Sequence, residues 1–177
     1  MTRIIFHIGA PKCGSTFIQR VLLNNRAKLS KQGVLYPHSG DDHPGNGDVF
    51  KRVSPLWFQG KAVKFHTIIF SHEDFFATAG RHAAKIKDLR TQKFAPVAIA
   101  FLRRFDEQIF ADLSQTLKQA CLQTVPHRID RVPQNFTQFT RSRYRRYQFD
   151  QYLKEWSNIV PNLHVESKDN VQDSLCK

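Results

Sequence analysis

Several features that would class this chain at once are missing from it. No apolar run approaches the roughly 18 residues that a membrane-spanning helix needs. The opening stretch is not a secretory signal either: Lys12 and Gly14 interrupt its only apolar run, and no small-residue cleavage site follows. These absences predict a soluble, cytoplasmic protein. Cysteine is scarce: Cys13, Cys121 and Cys176 are odd in number, far apart and without CxxC spacing, which argues against a disulfide framework and against a zinc site. Internal repeats and low-complexity tracts are absent. Acidic residues are few, 15 against 27 Lys and Arg, and the net charge of +12 calls for an anionic partner. Nucleic acid, an acidic glycan and a multiply phosphorylated cofactor all fit that balance. The densest basic cluster, Arg141, Arg143, Arg145 and Arg146 with Tyr144 and Tyr147 between them, reads equally as an anion site or as a solvated helix face.

What is present suits one folded domain spanning 1–177, with 41% hydrophobic residues to fill a core. Arg3 to Gly9 (RIIFHIG) reads as a short buried strand ending in a turn. From Ser15 onward Phe17, Ile18, Val21, Leu22 and Leu29 fall at helical spacing, and Gly33 stops the helix. A brief extended piece ends at Pro37, and Ser39 to Asp48 is a loop by composition, with Gly40, Pro44, Gly45, Gly47 and His43 inside it. Further strands are expected over Val63–Phe70, over Pro96–Leu102 and near Val165. Helices are expected over Arg81–Leu89, Arg104–Leu122 and Arg145–Ile159, with a polar loop at Gln123–Gln134. Nearly all-apolar strands alternating with helices predict a three-layer α/β fold around a central parallel sheet.

The sharpest local signal is FHIGAPKCGSTFIQRVLL, Phe6 to Leu23. A strand, a Gly-rich turn and a helix in succession gather free backbone N–H groups and a positive helix end around one anion. Gly9-x4-Gly14 has the skeleton of a nucleotide-phosphate loop, yet Ser15 and Thr16 follow Gly14 directly and the lysine is Lys12. No acidic residue ending a strand offers to share a metal with the loop hydroxyls. The expectation is a phosphate site that works without metal, with Lys12 free to act on a leaving oxygen.

This opening closely resembles that of the sulfotransferases with a P-loop NTPase-like fold, especially the bacterial carbohydrate-sulfotransferase-like group, whose PKxG[ST]T loop is met by Pro11, Lys12, Gly14, Ser15 and Thr16. Their donor is 3′-phosphoadenosine 5′-phosphosulfate (PAPS). The resemblance implies that Pro11, Lys12, Cys13, Gly14, Ser15 and Thr16 wrap the 5′-phosphosulfate, with Lys12 at the bridging oxygen. Cys13 stands where threonine, serine or glycine is commoner, and is expected to offer its backbone N–H. A second family signature, an arginine ending a strand and a serine eight residues on, grips the 3′-phosphate. FLRRFDEQIFADLSQTLK supplies Arg103 but places Ala111 where the serine would be. IIFSHEDFF matches a Ser/Glu-containing turn beside the donor in relatives. The resemblance runs from about Ile4 to about Glu166. DNVQDSLCK does not look like the segment that closes over the donor in relatives, so the C-terminal part of the family fold is expected to be missing.

The reaction so implied is sulfuryl transfer to an acceptor hydroxyl, on a carbohydrate or small molecule. It needs charge stabilisation at the leaving phosphate oxygen and a base for the acceptor's proton. Three residues compete for the base: Glu73 first, after the strand ending at Phe70, then His72, then His43; His7 is expected to be packed with a satisfied nitrogen. An impaired sulfotransferase-like binding protein, a nucleotide kinase and a nucleic-acid-binding module are the rival readings; the last would leave the Gly9–Thr16 loop without a role. The acceptor and the oligomeric state are not written in the sequence, although the basic balance leans towards an anionic or sugar-like acceptor.

Overall fold

A computed structural model describes residues 1–122, 135–143 and 148–167. The expected loop at Gln123–Gln134, Tyr144, Arg145, Arg146, Tyr147 and the tail from Lys168 lie outside the described residues, as do the side chains of Cys121 and Arg143. Five strands, β1 (Arg3–His7), β2 (Val34–Leu35), β3 (Thr67–Ser71), β4 (Ala95–Leu102) and β5 (Asn162–Ser167), form one sheet in the order β2-β3-β1-β4-β5. Every pairing is parallel. The fold is therefore α/β with a central parallel sheet flanked by helices, as the alternation of apolar strands and helices predicts. No helix among the described residues is long and apolar enough to cross a membrane.

The chain divides into two units: residues 1–102 with 150–177, and residues 103–149. In the first unit, β1 is the middle strand. Its even-numbered side chains, Ile4 and Phe6, are fully buried with Ile68 and Phe70 of β3 and with Ala98 and Ala100 of β4. Helices α3 (Gly47–Arg52), α4 (Pro55–Ala62), α5 (Ala79–Thr91) and α8 (Phe149–Ile159) contribute Phe50, Phe58, Ile86 and Trp156 to the buried set. The ring of Phe6 lies 4.9 Å from that of Phe50, 6.0 Å from Phe75 and 5.8 Å from Trp156, edge-on or tilted as aromatic quadrupoles favour. The indole Nε1 of Trp156 donates to the Phe75 carbonyl at 2.9 Å, so its one polar group is satisfied inside the core.

The opposite face carries the odd-numbered residues Ile5 and His7 together with Ile69, Ile99 and Phe101. Helix α1 (Ser15–Asn24) lies against this face through Ile18 and Leu22, and a cavity of about 340 Å³ remains there with His164 and Glu166 of β5 on its wall. Helix α2 (Arg26–Lys31) continues from α1 and leads into β2.

Two helices escape the periodicity. Ser54 caps α4 by accepting the Trp57 N–H at 3.4 Å, and Pro55 fills the first helical position, where its missing N–H costs nothing. Val63 and Lys64, which look like the start of β3, instead form a turn in which Lys64 N donates to Lys61 O, and Val63 is 85% exposed. The second unit holds α6 (Phe105–Leu122) and α7 (Phe136–Arg143), whose Phe110 and Phe136 rings stack at 5.2 Å.

Candidate functional site

Because β1 leads to β2 on one side and β4 leads to β5 on the other, the carboxyl ends of β1 and β4 mark a switch in chain direction. Ligands of open parallel sheets collect at such a point. The loop after β1 occupies it, and Ile8 N donates to Ile99 O at 3.0 Å, clamping the start of the loop to β4.

Within the loop the backbone is held open. Lys12 sits at φ 63°, in the left-handed region that costs a side-chain-bearing residue about 1 kcal/mol or more. Gly14 sits at φ 86°, where glycine alone is unstrained. Gly9 is required for a different reason: a Cβ there would lie 2.1 Å from Ser15 Oγ and 3.2 Å from the His7 ring. At the tip of the turn Cys13 Sγ donates to Pro11 O at 3.6 Å, and Cys13 N donates to Ala10 O at 3.3 Å. That bond occupies the N–H that Cys13 was expected to offer, and the Cys13 side chain is buried. The N–H groups of Gly14, Ser15 and Thr16 make no hydrogen bond among the described residues, while the Gly14 carbonyl accepts from Phe17 and Ile18 at 3.0 and 3.2 Å. Three unpaired donors at the positive end of α1 are an array of the kind that attracts an anion. The Lys12 ammonium makes no hydrogen bond or ion pair among the described residues either.

The two hydroxyls part company. Thr16 is exposed, but Ser15 is buried against Gly9, and its Oγ has no partner. One turn on, the buried Gln19 Nε2 is unpaired as well. His7 has its Nδ1 2.6 Å from Ser71 Oγ, joining the ends of β1 and β3, while its Nε2 is unpartnered. The expectation of a packed histidine with a satisfied nitrogen therefore holds for one ring nitrogen and not for the other. Burial lowers its pKa from 6.5 to about 4.

The second group of expected residues gathers at the end of β3, next to β1, and His72 N donates to His7 O at 3.3 Å. The His43 and His72 rings lie 5.3 Å apart, tilted by 36°. Each Nδ1 already accepts a backbone N–H: that of Gly45 for His43 and that of Asp74 for His72, both at 3.1 Å. In both rings the proton therefore sits on Nε2, and no lone pair is left for a base. Glu73 differs. It opens the single 3₁₀ turn Glu73–Phe75, is exposed, and its carboxylate makes no hydrogen bond or ion pair among the described residues. The cap of that turn is His72, not Glu73.

Asn46 carries no signal in the sequence beyond its place between two glycines, yet it fixes this corner. It is 1% exposed; its Nδ2 donates to Pro37 O (2.7 Å) and Ile69 O (2.9 Å), its Oδ1 accepts from Ser71 N (2.6 Å), and its own N–H donates to Ser71 O (3.0 Å). An asparagine thus splices the glycine-rich loop into the end of β3.

Arg103 belongs to the second unit. Its Nε is buried without a hydrogen-bond partner and lies 3.9 Å from Glu107 Oε2, while Arg104 pairs with Asp106 at 3.0 Å. Ala111 lies on α6 and is half-buried. Among the described residues no cluster of three or more His, Cys, Asp or Glu side chains could hold a metal ion. Comparison of the chain with protein-family models returns no match, and comparison with curated proteins returns none either.

Proposed function

We propose that the chain is a cytoplasmic PAPS-dependent sulfotransferase, moving a sulfuryl group to a hydroxyl of a carbohydrate or small molecule. The observation that carries this reading is the row of unpaired N–H groups at Gly14, Ser15 and Thr16 beside a lysine held in a left-handed turn. Backbone donors fixed in advance around an anion need no reorganisation when charge builds on it. In the proposed step the acceptor oxygen bonds to sulfur as the bond from sulfur to the bridging oxygen breaks. The electron pair stays on the 5′-phosphate, where the Lys12 ammonium and the loop N–H groups meet it. Glu73 takes the acceptor's proton, being the candidate whose lone pairs are free. Arg103 would hold the 3′-phosphate.

A second reading keeps the nucleotide and gives up the chemistry. Ala111 has no hydroxyl where the resemblance calls for serine, and a lost hydrogen bond to a charged group weakens the grip by about 1.5–3 kcal/mol. A thermal-shift titration with 3′-phosphoadenosine 5′-phosphate, against ATP with Mg²⁺, tests both. A ligand at 100 times its Kd stabilises the fold by about 2.7 kcal/mol. Stabilisation by the bisphosphate alone supports the donor site, and release of that bisphosphate from PAPS with a panel of hydroxyl acceptors then separates enzyme from binder. Stabilisation by ATP with Mg²⁺ alone would make the chain a nucleotide kinase.

A further inference from the structure

Three histidines, His38 beyond β2, His43 in the glycine-rich loop and His72 after β3, share one local design. His38 Nδ1 accepts the Gly40 N–H at 3.0 Å, His43 Nδ1 that of Gly45 and His72 Nδ1 that of Asp74, the latter two at 3.1 Å. In each case the imidazole caps a backbone donor two residues ahead, a task usually given to Asn, Asp or Ser. His38 adds a bond from its other nitrogen, 2.8 Å from the His43 carbonyl, which fits a proton on Nε2. The caps also press on one another: the His43 and His72 rings are 5.3 Å apart, and a Cβ on Gly47 would come within 2.6 Å of His72 Cβ.

We infer that His38, His43 and His72 form a proton-released latch, which ties the ribbon from His38 to Gly45 and the turn bearing Glu73 to the edge of the sheet only while all three rings are neutral. A protonated Nδ1 turns from acceptor into donor, so each cap is replaced by two N–H groups facing one another. Protonation of both His43 and His72 also sets two like charges ring against ring. The surrounding charges divide. Asp74 and Asp48 favour a proton on His72, while Lys51 of α3 and His43 oppose it, and burial lowers its pKa overall. Asp41, 3.9 Å from His38 Nε2, faces both His38 and His43. Asn46, whose bonds involve no titratable group, is the fixed point from which the ribbon is freed. The latch does not depend on sulfuryl transfer, since it concerns the hold on this ribbon whatever the loop after β1 binds.

Two measurements on the full chain test it. At pH 7.5, ¹⁵N-detected imidazole spectra are expected to show all three rings in the Nε2–H form. Amide exchange read as protection factors is expected to drop about tenfold per histidine at Gly40, Gly45 and Asp74 on going to pH 5.5, because an Nδ1 that carries a proton cannot accept those N–H groups. Amides of β1 and β4 serve as the control and keep their protection. The variant His38→Asn/His43→Asn/His72→Asn places an amide oxygen where each Nδ1 stood and cannot titrate, so its protection at those three amides should be the same at both pH values. An Nδ1–H form at His43 or His72, or equal loss of protection in variant and wild type, would overturn the latch; the tautomer measurement needs no variant and stands even if the triple variant fails to fold.

Discussion

Two loops meet at the same edge of the sheet and treat their hydrogen bonds in opposite ways. Among the described residues, the loop from Gly9 to Thr16 leaves three successive N–H groups and a lysine ammonium without partners and holds Lys12 in a strained turn. Along the ribbon from His38 to Asn46 the N–H groups of Gly40, His43, Gly45 and Asn46 each find an acceptor, for Gly40 and Gly45 an imidazole acting as a cap, and Asn46 ties the ribbon to β3. Donors left unpaired beside a strained residue stay open to a ligand, whereas donors bonded within a loop hold that loop in place.

The comparison can be broken most sharply at Lys12. Lys12→Ala is expected to lower turnover of the proposed reaction by about 10³-fold, the scale of losing a preorganised charge, with an unchanged melting temperature. An unaltered rate would remove Lys12 from the chemistry. The next largest effect belongs to the other loop: Asn46→Ala strands Pro37 O, Ile69 O and Ser71 N and should cost about 3 kcal/mol in urea unfolding. Less than 1 kcal/mol would mean that the splice to β3 is not what holds the ribbon.

Acid acts on the junction between the two loops. The folded pKa of His7 is about 4 against 6.5 in the unfolded chain, so folding favours its neutral form. The stability it contributes is therefore whole above pH 6.5 and drains away as the pH falls towards 4. It amounts to about 2 kcal/mol between pH 7 and pH 5. His82, likewise lowered to about 4 by burial, adds in the same direction. His7→Gln should flatten that part of the stability–pH curve; an unchanged slope would contradict it. The smallest effect is the control: Thr16→Ala, at an exposed residue, should alter stability by under about 0.5 kcal/mol.

Much of this edge was readable in advance, for physical reasons. Glycines at 9 and 14 announce a turn that needs close approach and a left-handed residue, and the apolar run before them can only be an interior strand. Parallel pairing followed from strands with no polar face. Helices α3 and α4 were not readable because they are short, with too few turns for a stripe to emerge; the Ser54-Pro55 cap of α4 was their only signal. Val63 misled because a β-branched residue in a turn looks like a strand start. What the sequence did not show at His43 and His72 is that each Nδ1 accepts a backbone N–H. A histidine in a loop suggests acid–base chemistry, while the pattern His-x-Gly, present at His38 and again at His43, marks an imidazole bonded to its own turn.

The bond from Trp156 to the Phe75 carbonyl has a consequence for biosynthesis. The sheet-bearing unit is discontinuous, with residues 103–149 inserted between β4 and the helix that carries this indole. On the ribosome, four strands therefore emerge well before the side chain that seals Phe6 and Phe75 is made. Until it arrives, the nascent protein lacks the side chain that covers Phe6 and Phe75, and transiently exposed apolar surface of this kind favours aggregation.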